Sequence, residues 1–111
     1  MENYRHYGRP GSFLKFIAAI VTTPEGERYV VRSGDETYDY HRVILRALRR
    51  EASDEGLPDD AVAILGGGMC IMRMGTLHLH GRSTDFGLEP DRNATVVAFA
   101  EAYPDTPVRT L

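Results

Sequence analysis

The sequence contains a single cysteine, no long apolar run and no surplus of positive charge, and each shortage narrows what the protein can be. Cys70 has no second thiol to pair with inside the chain, so the fold cannot rest on an internal disulfide. No apolar run approaches the roughly 20 residues of a membrane-spanning helix. Residues 1–10 lack the apolar segment of a secretory signal. A cytoplasmic protein with no membrane partner is the expectation. Lysine and arginine number 13 against 16 aspartates and glutamates, a net charge of −3. A dedicated nucleic-acid binder needs a basic surface to displace counterions from phosphates, so no nucleic-acid partner is expected either.

The composition that remains is that of one folded unit. The 111 residues are 42% hydrophobic and 26% charged, enough for one buried core and too few for two. Residues 1–11 are polar, with Gly8, Pro10 and Gly11, and read as a loosely ordered tail before a domain at 12–111. Residues 13–22 form an apolar run broken only by Lys15, which predicts a buried strand. A turn at 24–27 and a second strand at 28–32 make it a hairpin, and residues 33–37 supply helix-capping candidates. Tyr40, Val43, Ile44, Ala47 and Leu48 then recur at helical spacing, which predicts a helix with that stripe buried.

Residues 61–65 read as a short strand running into Gly66-Gly67-Gly68, and residues 69–74 and 76–80 as a further hairpin. In its second arm Leu77 and Leu79 alternate with polar neighbours, the period of a half-buried strand. A loop at 81–90, a helix at 91–103 with Val96, Phe99 and Tyr103 on one side, and an edge strand at 108–111 complete the chain. The order ββαβββαβ predicts an α+β domain, its mixed sheet of about six strands flanked by two helices.

Five features bear on chemistry. His41 lies about 60° from Ile44 on a helical wheel, at the border of the predicted stripe and near the helix start, where open N–H groups favour an anion and keep an imidazole neutral. The same position also suits a histidine that only packs its ring edge on Leu45 and Leu48. Gly66, Gly67 and Gly68 permit a close backbone approach to a ligand or simply a tight connection, and no Gly-Lys-Ser/Thr follows to make a nucleotide loop. Lys15 must carry its ammonium out of an apolar strand or find an anion for it. Ser83 stands in a loop just past a strand end, where binding residues and ordinary turn formers both concentrate. His78 and His80 share a strand face at a spacing that can chelate a metal, with His41 as a conceivable third ligand, but no Cys cluster or carboxylate accompanies them.

Taken in order, Lys15, Tyr40-His41, Leu65-Gly66-Gly67-Gly68, His78-Leu79-His80-Gly81-Arg82-Ser83, Phe86-Gly87 and Tyr103-Pro104-Asp105 resemble the phosphohistidine phosphatase (janus/ocnus) family of small single-domain proteins. The resemblance runs from about Phe13 to Arg109. It implies an α+β fold and metal-independent hydrolysis of the P–N bond of phosphohistidine or related phosphoramidates, with no cofactor. It also implies that His41 is the catalytic residue and that Lys15 and Ser83 bind the phosphoryl group. The glycine triplet would position the histidine and line the pocket. Arg82 stands where that family usually has an aromatic residue, Met69 where an arginine often follows the glycines, and Asp85 where a small residue offers its N–H to phosphate. Arg32, Arg73 and Arg82 are the candidates to replace the missing positive charge. The partner implied is a phosphohistidine-containing protein or a small phosphoramidate, bound by a monomer. The alternative is a module of the same fold that binds phosphate or phosphopeptide without turnover.

Overall fold

Alternation along the first strand decides the architecture. In the computed structural model, which describes residues 13–34 and 39–111, strand β1 (Phe13–Thr23) sends Leu14, Phe16 and Ala18 into one core and Ile17, Ala19 and Val21 into another. A strand buried on both faces has to read as a continuous apolar run, and this one does. It sits inside a five-stranded sheet between β2 (Gly26–Ser33) and β3 (Val62–Arg73), followed outward by β4 (Thr76–His80) and β5 (Val108–Thr110). All neighbouring pairs are antiparallel except β4 and β5, so the sheet is mixed. Helix α1 (His41–Asp54) covers one face and α2 (Arg92–Ala102) the other. Asp91 caps α2 by accepting the Ala94 N–H at 3.2 Å.

The sheet has five strands rather than about six because the glycine triplet does not interrupt the chain. Residues 62–73 form one continuous strand through Gly66, Gly67 and Gly68, entered from a single 3-10 turn at Asp59–Ala61. The register slips there: Ala18 faces Gly66 and Ala19 faces Ile64, so Leu65 is the extra residue of a β-bulge. Gly66 absorbs the bulge at φ +151°, and a Cβ on it would collide with the backbone of Leu88 and Glu89.

The buried stripe of α1 is His41, Ile44, Leu45, Leu48 and Ala52 rather than the one the spacing predicts. Tyr40 and Val43 are exposed, at 55% and 40%. Turning the helix this way buries Leu45 in place of the smaller Val43 and Ala47, which removes more apolar surface from water. It also moves His41 from the border of the stripe to its middle. The N-cap is Tyr40, which makes no side-chain cap bond. Ser33 ends β2, and the remaining capping candidates at 35–37, like the expected tail at 1–11, lie outside the described residues. Phe16 and Phe99 meet edge to face at 5.8 Å beneath α2. No helix among the described residues is long and apolar enough to cross a membrane.

Candidate functional site

His41 is the first residue of α1, and it is only 5% exposed. Its Nε2 lies 2.8 Å from the carbonyl oxygen of Gly68 in β3. A carbonyl can only accept, so Nε2 carries the proton and the neutral ring keeps its lone pair on Nδ1. Burial pushes the imidazole below its ordinary pKa, and the nearby Lys15 charge adds to this. The Gly68 hydrogen bond and the Asp85 carboxylate act the other way. The ring is therefore neutral near pH 7, with one nitrogen tied down and the other free of any hydrogen-bond partner among the described residues.

A cleft of about 470 Å³ opens beside this ring. Lys15, Arg42 and Arg82 bring positive charge to its wall, Asp85 brings one carboxylate, and Tyr40, Met69 and Thr84 complete it. Lys15 comes from β1, where its neighbour across the ladder is Met69. Its Nζ lies 5.5 Å from the centroid of the Tyr40 ring, and the Arg42 guanidinium carbon lies 5.1 Å from the same centroid. The exposed Tyr40 ring thus steadies two cations at the mouth. Val43 and Ile44 both donate to the Tyr40 carbonyl, which leaves the N–H groups of His41 and Arg42 as open donors of the first helical turn among the described residues. The positive end of α1 therefore faces the same space as the three cations.

A sequence model of the Janus/Ocnus family matches residues 9–107. The chain belongs to the Janus/Ocnus family. A search of curated proteins finds no match.

In this Janus/Ocnus chain the loop after β4 folds back onto the glycines of β3. Ser83 N–H donates to Gly67 O at 3.0 Å and Gly67 N–H donates to Gly87 O at 3.0 Å, while Ser83 and Gly87 bond each other across the loop neck. The Ser83 hydroxyl, in a side chain 2% exposed, accepts the Phe86 N–H at 3.1 Å. Ser83 thus builds the turn that carries Thr84 and Asp85 to the cleft wall, and stands behind that wall itself. The N–H groups of Thr84 and Asp85 are open donors at the rim among the described residues.

Gly66, Gly67 and Gly68 also stand behind the wall. A Cβ on Gly68 would lie 2.7 Å from His80 O and 2.9 Å from both Gly81 O and the Arg92 guanidinium. Bare glycine is what lets the 81–89 segment cross so close to the strand. The triplet's part in the site is to present Gly68 O to His41 and to seat the loop.

Of the three arginines considered as replacement charge, Arg82 alone is in the cleft wall. Arg32 is 5% exposed and bonded to both carboxylate oxygens of Glu51, at 3.0 and 3.1 Å. Arg73 sits at the β3–β4 turn, five residues along the strand from Gly68. His78 and His80 lie across from Ile71 and Met69, and no grouping of three His, Cys, Asp or Glu among the described residues is placed for a metal. The third-ligand position imagined for His41 is therefore not formed.

Three site-building residues carried no sequence signal of their own. Arg42 follows His41 in the chain and could have been picked up by that adjacency alone. Glu89 and Arg92 form a network that only the fold assembles. Glu89 is 1% exposed, and its carboxylate accepts from Arg92 at 2.7 and 3.0 Å and from the Thr95 hydroxyl at 2.7 Å. Thr95 in turn bonds the Tyr29 hydroxyl at 2.8 Å. The same Arg92 donates to Gly81 O at 2.8 Å and lies over the Phe16 ring, 5.2 Å from its centroid. One guanidinium thereby locks the start of the 81–87 loop to α2 and to the back of the glycine strand.

Proposed function

We propose that this Janus/Ocnus protein is a cytoplasmic, metal-independent phosphatase that hydrolyses the P–N bond of phosphohistidine or a related phosphoramidate. The observation that carries the reading is the His41 ring. Its Nε2–H is fixed on Gly68 O, and its basic Nδ1 belongs to a residue that walls a cleft lined with three cations at the start of a helix. A P–N bond breaks readily once its nitrogen is protonated. The protein then has to hold the phosphoryl group and deliver a nucleophile. Nδ1 of His41 attacks phosphorus, the P–N electron pair leaves with the protonated amine or imidazole, and water then releases phosphate from the ring. In the base-catalysed variant Nδ1 takes a proton from the attacking water instead. Both routes use the same neutral tautomer.

Lys15, Arg42 and Arg82, with the open N–H groups of the first turn of α1, would meet the charge on the equatorial phosphoryl oxygens. This arrangement supplies positive potential without a metal. Ser83 and the three glycines act here as the frame of the loop.

A second reading, a module that binds phosphate or phosphopeptide without turnover, is favoured by the Asp85 carboxylate and the apolar Met69 in the cleft wall. Turnover of a phosphohistidine peptide by the wild type and by His41→Ala, with and without excess EDTA, decides between them. The phosphatase reading expects wild-type turnover that survives the chelator and collapses in the variant. Binding of the peptide with no turnover above the variant's would replace it with the binding module. Loss of activity in EDTA with recovery on zinc would promote His78 and His80 to ligands.

A further inference from the structure

Helix α1 carries four arginines, Arg42, Arg46, Arg49 and Arg50, and all four are exposed. At 100° per residue they fall within an arc of about 100°, on the side of the helix away from Ile44, Leu45, Leu48 and Ala52. From Arg42 to Arg50 the stripe runs about 12 Å along the axis, at 1.5 Å of rise per residue. None of the four forms an ion pair among the described residues, and Glu51 on the same helix is held by Arg32.

This placement works against the helix. Arg42 and Arg46, and Arg46 and Arg50, are like charges one turn apart, which oppose helix formation. Arg42 also stands at the positive end of the helix dipole, and the first turn holds no acidic residue. A solvated face is ordinarily laced with both signs. Here the whole chain has a net charge of −3, so the basic stripe is a local segregation of charge and not part of a general excess.

The stripe is also continuous with the cleft, because Arg42 lines its wall beside His41. A polypeptide whose phosphorylated side chain enters the cleft can run out across that rim. At about 3.3 Å per extended residue, the stripe spans about four residues of such a chain. We propose that Arg46, Arg49 and Arg50 form a docking track for an acidic segment flanking the phosphorylated residue of a protein substrate, an inference that rests on reading the cleft as a phosphohistidine site. Opposite charge is what the track selects. A nucleic-acid strand would in addition want exposed rings on which to stack its bases, and the one aromatic at the head of the stripe, Tyr40, already holds Lys15 and Arg42.

The test compares the wild type with the triple variant Arg46→Gln, Arg49→Gln, Arg50→Gln. Substrates are phosphohistidine peptides of equal length with acidic or neutral flanks, and a small phosphoramidate with no peptide. The wild type should prefer the acidic peptide about tenfold in kcat/KM, through KM, and lose that preference near 1 M salt, where the screening length is about 3 Å. The triple variant should treat both peptides alike while turning over the phosphoramidate as the wild type does. A preference that survives in the triple variant, or a wild type indifferent to peptide charge, overturns the track.

If the phosphoramidate is not hydrolysed at all, the catalytic reading fails separately. Fluorescence anisotropy of the labelled acidic peptide then reads docking directly. Weaker binding by the triple variant supports the track, and equal binding overturns it. Tighter wild-type binding of a single-stranded oligonucleotide than of the acidic peptide also overturns it, because the occupant would then be nucleic acid.

Discussion

His41 donates its Nε2 proton to the carbonyl oxygen of Gly68, 27 residues away in the chain and 2.8 Å away in space. The bond joins the first residue of α1 to the middle of β3, and it does two jobs at once. It fixes the tautomer, and it holds the imidazole in the buried face of the helix while Nδ1 is left without a hydrogen-bond partner among the described residues.

The His41 and Lys15 side chains should fail in different ways. His41→Ala removes the nucleophile or base and should lower kcat by about 10²–10⁴-fold, the scale of a lost acid–base group. Lys15→Ala should cost roughly 1.5–3 kcal/mol, the scale of a charge-assisted hydrogen bond, read in kcat/KM. Inorganic phosphate should still bind His41→Ala, measured by calorimetry, because the cations and the helix terminus remain. Equal effects of the two substitutions on kcat would refute this division of labour.

The pH dependence follows from the direction of the His41 shift. Burial, then the Lys15 charge, holds the ring below its ordinary value of 6.5. In the unfolded chain the imidazole takes up a proton as pH falls through 6.5, while the folded one resists until its own lower pKa is reached. Stability should therefore fall as pH drops across that window and be insensitive to this group above it. The kcat/KM profile should rise over the acidic limb and be flat by neutral pH. Asp85→Asn removes a charge that raises the His41 pKa, so the limb should move to lower pH, and Lys15→Ala should move it the other way. NMR titration of the His41 ring in the three proteins checks the order.

The Glu89–Arg92 pair should behave as a unit. Removing either partner leaves a desolvated charge behind, so Glu89→Ala and Arg92→Ala should each cost about 3–5 kcal/mol. The double variant should cost clearly less than the two losses added together, because it leaves no buried unpaired charge. Urea denaturation of all four proteins closes the cycle, and strict additivity would show that the pair is not coupled.

Two glycine substitutions separate backbone strain from collision. Gly75 has φ +79° and open space around its missing Cβ, so Gly75→Ala should cost only the price of a left-handed residue, about 1–2 kcal/mol. Gly66 combines φ +151° with the backbone of Leu88 and Glu89 in the way. Gly66→Ala should exceed the Gly75 loss and should also depress activity, since the bulge sets where Gly68 O meets His41. Equal denaturation midpoints for the two variants would contradict the geometry.

The sequence alone determined whatever depends on neighbours along the chain. The continuous apolar run of β1 predicts a buried strand, residues 91–103 read as a helix, and alternation at Leu77 and Leu79 predicts β4, because each pattern is a local consequence of side-chain period. The ordered motifs also placed the chain near its family. The tertiary structure decided the rest. Five apolar positions of α1 fit one stripe, yet the helix turned to bury Leu45 and His41, because Leu45 is larger than the Val43 and Ala47 it leaves outside. Three glycines read equally well as a tight connection or a close approach to a ligand, and the bulge opposite Ala18 and Ala19, together with the crossing of Leu88 and Glu89, made them part of one continuous strand. Glu89 and Arg92 are unremarkable as letters three apart. They became the lock behind the loop only when folding carried them out of water, where an unpaired charge is too costly to leave alone.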